Sequence, residues 1–400
     1  MQFIRSDCLK PGMRLAKPIY NKNGVMLYER NSKLTPQGIE SIRNFELIGI
    51  YILEPAEPVP PLSKEDIEFE QFQTIAVFQL RDCMKMIASG RQPEKLSSLI
   101  HSIISRYGSL DHKLNFTQNL RSPADYVYKH SISTAILAAM IANELRMPRE
   151  FQESCVMAAL LYDFGELLIP PEITEKTEPL TKEELKVVRE CRKKGFDYLN
   201  PDIRTVSFPK DVLKIISQMI YLTNTNSTEP SERITRTNGT KLLQVAARFD
   251  RMTAMSLSEE PASELTAIRF LKEYPDDYEP KMIRALAKSI NIIPRGSCVD
   301  LSNGQKAMVL EENLIDYSKP LVLDFSSNTV YDLRIPAVFE KVQVLDIMKT
   351  MDNRISIDED TLKQFTADDH IKNVMNNFRK KQQRIAARRA KKKPVRKKLL

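Results

Sequence analysis

Between residues 65 and 293 apolar positions recur every three or four residues with few breaks, the period of helices that bury one face. Val127, Ile132, Ala135, Ile136 and Ala139 would line one such face. A second apolar run, Cys155 to Tyr162, stops at Asp163. The flanks follow another rhythm. Met13–Tyr20 and Val25–Tyr28 read as two strands joined by the turn Asn21-Lys22-Asn23-Gly24. Thr35–Phe45 reads as a short helix, with Thr35 as its cap and Pro36 at its first position, and Ile48–Leu53 as a closing strand. After the helical stretch, Val299–Leu333 turns β-rich, and Asn303-Gly304 marks a hairpin.

The expected fold is therefore mainly α, with a helical bundle between two small β-rich modules. The expected segments are an N-terminal β-rich module (1–56), a proline-rich linker (57–64), the helical domain (65–293), a second β-rich module (294–345), a weakly helical segment (346–378) and a disordered basic tail (379–400). Within the helical domain, Thr181 followed by Glu183 and Glu184 marks a helix start with acids in its first turn. Asn224–Asn238 is polar, turn-rich and expected to be mobile.

Composition narrows the class. The hydrophobic share of 42% is that of a globular chain. No apolar run is long enough to span a bilayer, and no secretory leader follows Met1. Cys8, Cys83, Cys155, Cys191 and Cys298 are few, odd in number and scattered, which suits a reducing cytoplasm. Net charge is +8, but residues 379–400 carry 12 Lys or Arg and no acid. The remainder holds 48 bases against 52 acids, a balance of −4, so the basic character belongs to the tail.

Residues 126–199 carry the chemistry. They contain YVYKHSIST, AALLYDFGELLIPPEITEKTEPLTKEEL and ECRKKGFDYL. This stretch resembles the HD-GYP family, HD phosphohydrolases that hydrolyse cyclic di-GMP. His130, Asp163, Gly165, Ile169, Pro170, Lys176, Leu180, Thr181, Glu184 and Gly195 match the family pattern, and Asp250 in VAARFDRMTAM matches its metal-binding aspartate. Tyr162, Glu166 and Cys191 depart from it, standing where the family has His, Lys and His. Neither the paired His nor the Gly-Tyr-Pro signature occurs in the stretch where the family places them. The resemblance implies an HD-type helical bundle.

The histidine count bears on the chemistry directly. The chain has four: His101, His112, His130 and His370. A two-metal hydrolase draws on several imidazoles together with bridging carboxylates. Tyrosine, with a phenol pKa of about 10, is a poor metal ligand at neutral pH. His130, Asp163 and Asp250 then read as a remnant: either a one-metal site for Fe, Mn or Mg, or a hydrogen-bonded relic without metal, the latter being expected. Tyr162 would cap the vacated pocket with apolar bulk or hydrogen-bond across it, and the cap is expected. Arg248 and Arg251 are candidates to neutralise the paired aspartates. Lys176 has a phosphate-contact role by resemblance, set against a reading as a solvated surface lysine. Cys191 reads as a packed helix residue rather than a thiolate ligand.

The tail cations are Arg379, Lys380, Lys381, Arg384, Arg388, Arg389, Lys391, Lys392, Lys393, Arg396, Lys397 and Lys398. They would hold RNA or DNA without reading sequence, or lie on an anionic membrane surface, or serve only as a solubilising end; nucleic acid is the expected reading. The expected function is a non-catalytic regulatory or binding protein, a pseudoenzyme derived from a cyclic di-GMP phosphodiesterase. It would have no resident cofactor, and its partners would be a cyclic dinucleotide or another protein. The alternatives are reduced hydrolysis through the remnant site and a nucleic-acid-associated scaffold.

Overall fold

A computed structural model describes residues 2–21, 23–44, 49–53, 62–118, 121, 124–176, 178–200, 206–224, 234–254, 261–348, 354 and 369–392. The described chain divides into two compact units, one of residues up to 290 and one from 291 onward.

The first unit opens with strands β1 (Gln2–Arg5), β2 (Arg14–Leu15), β3 (Ile19–Tyr20) and β4 (Met26–Tyr28), helix α1 (Pro36–Asn44) and strand β5 (Gly49–Leu53). β5 pairs antiparallel with β1 on one side and β2 on the other, while β3 and β4 form a separate ribbon. The single strand expected over Met13–Tyr20 is thus two. Pro18, which cannot donate to a ladder, lies where the chain passes from one sheet to the other. The β1 strand had no period long enough to show in the sequence. Thr35 accepts the Gly38 N–H at 3.0 Å, so α1 starts at Pro36 as its cap dictates. Leu15, Ile39, Ile42, Ile50 and Ile52 form this module's core.

Helices follow: α2 (Lys64–Ala88), α3 (Leu96–Tyr107), α4 (Tyr126–Glu144), α5 (Arg149–Leu161), α6 (Pro171–Thr174), α7 (Lys182–Leu199), α8 (Lys210–Asn224), α9 (Asn238–Thr253), α10 (Glu264–Glu273) and α11 (Pro280–Ser289). Capping boxes start two of them, Ser63 with Asp66 at α2 and Thr181 with Glu184 at α7. α4 is the central helix. It is buried without a break from His130 to Ala142, with α2, α3, α5, α9 and α11 packed around it. A helix apolar all round belongs in the middle of a bundle. The core residues of the expected stripe, Ile132, Ala135, Ile136 and Ala139, are each at most 1% exposed. Residues 225–233, most of the polar stretch Asn224–Asn238, lie outside the described residues, as do residues 54–61 of the proline-rich stretch.

The second unit is a five-stranded antiparallel sheet in the order β10-β6-β7-β8-β9, from β6 (Cys298–Leu301), β7 (Lys306–Glu311), β8 (Leu321–Asp324), β9 (Val330–Asp332) and β10 (Val344–Ile347), with the short helix α12 (Pro336–Phe339) before β10. Gly304, at φ 80°, makes the turn between β6 and β7. The C-terminal helix, Asp369–Lys392, lays Met375 and Phe378 on Met308, Leu310, Leu321 and Leu323. The basic run expected to be disordered therefore begins as the second half of this helix, and residues 393–400 lie outside the described residues. No helix among the described residues is long and apolar enough to cross a membrane.

Candidate functional site

The expected site residues come together around one imidazole. α4 carries His130, which is wholly buried. Tyr162 and Asp163 follow the last turn of α5, where the chain leaves the helix for a short 3-10 turn, and α9 carries Asp250 in its last turn. His130 Nδ1 lies 2.5 Å from Asp250 Oδ2, and Nε2 lies 2.5 Å from the Tyr162 hydroxyl. Asp163 Oδ2 is 3.4 Å from the same Nε2, too long to compete for it.

Charge and burial assign the protons. Burial holds His130 below its ordinary pKa against the pull of Asp250, so the ring is neutral. Burial, with Asp163 adding to it, pushes the Tyr162 phenol well above its ordinary value. The phenol therefore keeps its proton and donates to Nε2, and the ring donates from Nδ1 to Asp250. Burial alone would raise the Asp250 carboxyl, but Arg121 and His130 outweigh it and hold it below the usual carboxylate range.

Arg121 is the residue the sequence reading missed. Its guanidinium grips Asp250 with both arms, Nη2 to Oδ1 at 2.6 Å and Nη1 to Oδ2 at 2.7 Å. Gln118 donates to Asp250 Oδ1 and to the Thr253 hydroxyl, each at 3.0 Å, and accepts from Arg121 at 2.9 Å. Nothing periodic marks Arg121; it sits ahead of α4 with its partner 129 residues away. Of the two arginines proposed to neutralise the aspartates, Arg251 reaches Asp163 at 3.4 Å. Arg248 instead lies 4.7 Å over the Phe270 ring. Its place on α9 turns it from Asp250, and Arg121 takes the role.

The Tyr162 expectation also needs correction. The ring fills space, but its hydroxyl is committed to His130, because a neutral imidazole buried beside a carboxylate still has one acceptor to satisfy.

These contacts test whether the residues fit a metal. Both His130 nitrogens and both Asp250 oxygens are already engaged by protein groups. A ligand must offer a free lone pair, and as arranged this set does not fit. Among the described residues no group of three or more His, Cys, Asp or Glu is placed to hold a metal ion.

The surrounding positions are likewise paired. Lys176 binds Glu184 at 2.8 and 2.9 Å, which lowers the Glu184 carboxyl. Glu166 pairs with Arg192 at 2.5 Å, so the inverted charge has its own cation; burial first, then Asp163, still raises its carboxyl. Cys191 donates to the Leu168 carbonyl at 3.3 Å, as a packed helix residue does. In the C-terminal helix Arg379 pairs with Glu311, while Lys380, Lys381 and Arg384 are exposed. Of Arg388, Arg389, Lys391 and Lys392 only the helical backbone is described, and Lys393, Arg396, Lys397 and Lys398 lie outside the described residues.

Residues 116–282 match the HD domain family. Cyclic di-GMP phosphodiesterase PA4108 of Pseudomonas aeruginosa is 28% identical over 209 residues, 52% of this chain and 50% of that protein. Cyclic di-GMP phosphodiesterase PdeB of Borreliella burgdorferi is 23% identical over 201 residues, 49% of this chain and 51% of that protein. The chain spans about half the length of these two relatives. Among solved structures, Bd1817, an HDG"Y"P protein from Bdellovibrio bacteriovorus, aligns at a TM-score of 0.40 with 13% identity, over 71% of this chain and 97% of that one.

Proposed function

We propose, from the premise that this chain is an HD-domain protein of the HD-GYP-like kind, that it is a non-catalytic regulatory or binding protein whose metal site has been lost. One observation carries the reading: His130 has no free nitrogen and Asp250 no free oxygen. Hydrolysis of a phosphodiester needs a metal-bound nucleophile or an equally strong one. A neutral imidazole already accepting from Tyr162 cannot take a proton from water without first giving that bond up.

The ligand class proposed is a cyclic dinucleotide, because both named relatives act on cyclic di-GMP. The cations beside the site are largely spoken for, Lys176 by Glu184 and Arg192 by Glu166. The affinity expected is accordingly modest.

The test is to purify the chain, measure Fe, Mn and Mg content, and assay hydrolysis of cyclic di-GMP with added Mn2+. Substoichiometric metal and no turnover are expected. About two metals per chain, or robust turnover, would sink the reading. About one metal, lost in Asp163→Ala, would shift it to reduced hydrolysis through His130, Asp163 and Asp250.

A further inference from the structure

The N-terminal module has its own apolar core: the cluster around Leu15 and Ile42 draws on no residue beyond Ile52. Polar groups join the module to the helical bundle. Gln71 of α2 donates to the Gly24 carbonyl at 2.6 Å. Lys17, between β2 and β3, pairs with Glu70 of α2 at 3.3 Å and donates to the Gln118 carbonyl at 2.9 Å. The pair is sheltered, with the Lys17 side chain 19% and the Glu70 side chain 7% exposed. A joint held by polar contacts opens at lower cost than one that buries a shared apolar core.

Lys17 grips the end of a strap. Residues 114–118 run from α3 towards α4 across α2. Leu114 bridges Ile290, Asn115 donates to Asp66 at 3.1 Å, and Phe116 packs on the Phe69 ring with centroids 5.3 Å apart. Past Phe116 the hold passes to carbonyl groups, Thr117 accepting from Gln73 at 3.4 Å and Gln118 from Lys17. Gln118 is also the residue whose side chain donates to Asp250 and Thr253 and accepts from Arg121. Three hydrogen bonds therefore lead from the module to the imidazole: Lys17 to Gln118, Gln118 to Asp250, and His130 to Asp250.

We infer that Lys17 is a positioning residue that couples the N-terminal module to the His130 network. While the module is docked on α2, Lys17 fixes Gln118, and Gln118 keeps Asp250 and Arg121 aligned. When the module lifts from α2, that hold loosens. The coupling runs both ways, so whatever tightens the network also tightens the docking. It holds whether or not the site hydrolyses a phosphodiester.

The test compares full-length wild type, Glu70→Gln and Lys17→Met/Glu70→Gln. The double variant loses the bond to Gln118 without stranding the buried Glu70 charge, and Glu70→Gln alone keeps that bond. The first readout is the ring-nitrogen NMR spectrum of protein labelled at its four histidines. The second is amide exchange. Glu70→Gln should leave the His130 ring signals at their wild-type positions. The double variant should move them. Its exchange should rise about two- to tenfold over residues 114–118, as for the loss of one hydrogen bond, and should rise in the last turn of α9, residues 250–253. Exchange in α10 should not change. Should the double variant fail to fold, Lys17→Gln goes through the same comparison.

Two results would overturn the inference. One is unchanged His130 signals and unchanged exchange at 250–253 without the Lys17 ammonium, since Lys17 would then be a local contact only. The other is an equal change in Glu70→Gln, since the ion pair rather than the bond to Gln118 would then carry the effect.

Discussion

Tyr162→Phe deletes one oxygen from the centre of the molecule. His130 Nε2 would be left a buried acceptor with Asp163 Oδ2 3.4 Å away, too far to satisfy it. An unsatisfied buried acceptor costs about 1–3 kcal/mol, so a melting point lower by several degrees is expected. An unchanged melting point would mean that the hydroxyl bond is absent in solution. Tyr162→His is a different experiment. It restores an imidazole, yet Arg121 still occupies Asp250 and Cys191 still bonds the Leu168 carbonyl. No hydrolysis is expected from this variant in a cyclic di-GMP assay. Both predictions depend on hydroxyl and guanidinium contacts that sequence spacing could not show, because the partners lie 32 and 129 residues apart.

At the scale of elements, the short turn Phe164–Leu168 and helix α7 cross at two glycines. A Cβ on Gly195 would meet the Gly165 Cα at 2.3 Å, and one on Gly165 would meet the Arg192 Cα at 2.5 Å. Neither obstacle is the end of a flexible side chain, so backbone must move. Gly195→Ala should therefore destabilise by roughly 1–3 kcal/mol, the usual cost of overpacking, and loosen the stretch that carries Asp163. Hydrogen exchange of residues 160–170 is the measurement, with increased exchange expected. The start of α7 offers a milder probe. Thr181→Ala removes a cap worth about 1 kcal/mol. It should fray that end while leaving the imidazole network untouched, which unfolding in urea together with the same exchange experiment would show.

For the whole molecule, acid is the revealing variable. The pKa of His130 is lower in the folded chain than its ordinary value of about 6.5. Below about pH 6.5 the unfolded chain gains a proton that the folded chain refuses, so stability falls as pH falls. Asp250, also depressed, acts in the same sense at lower pH. His112 acts oppositely. Its pKa is raised, first by its bond to Glu65, so its contribution is present in acid and lost as pH rises; it is half exposed and the effect is small. Urea unfolding between pH 7.5 and 5.5 should show wild type losing up to about 1.4 kcal/mol per pH unit. His130→Gln should flatten that slope; an equal slope in the variant would place the titration elsewhere. The tail is a second whole-molecule question. The cut that isolates its charges lies after Arg384, because Met375, Phe378 and Gln382 are buried in the second unit. RNA and DNA binding by the full chain should weaken steeply with salt, and the truncated chain should lose most of it. Equal binding by both would place the affinity outside the tail.

Local signals decided much of what depends on neighbours in the chain, though not β1, the break at Pro18 or the helix Asp369–Lys392. Helical period located the bundle and α4, Thr35 and Thr181 located helix starts, Asn303-Gly304 located a hairpin, and the scarcity of histidine raised the question of the metal before any fold was known. His130, Asp163 and Asp250 were named together from the pattern that they match, and the bundle does gather them around one ring. The tertiary structure alone decided what neutralises Asp250, whether Tyr162 caps the pocket or bonds across it, and which way Arg248 points. Those are questions of desolvated charge. A buried carboxylate takes whichever cation the fold brings within reach, and the fold brings Arg121 from a segment without period, far along the chain.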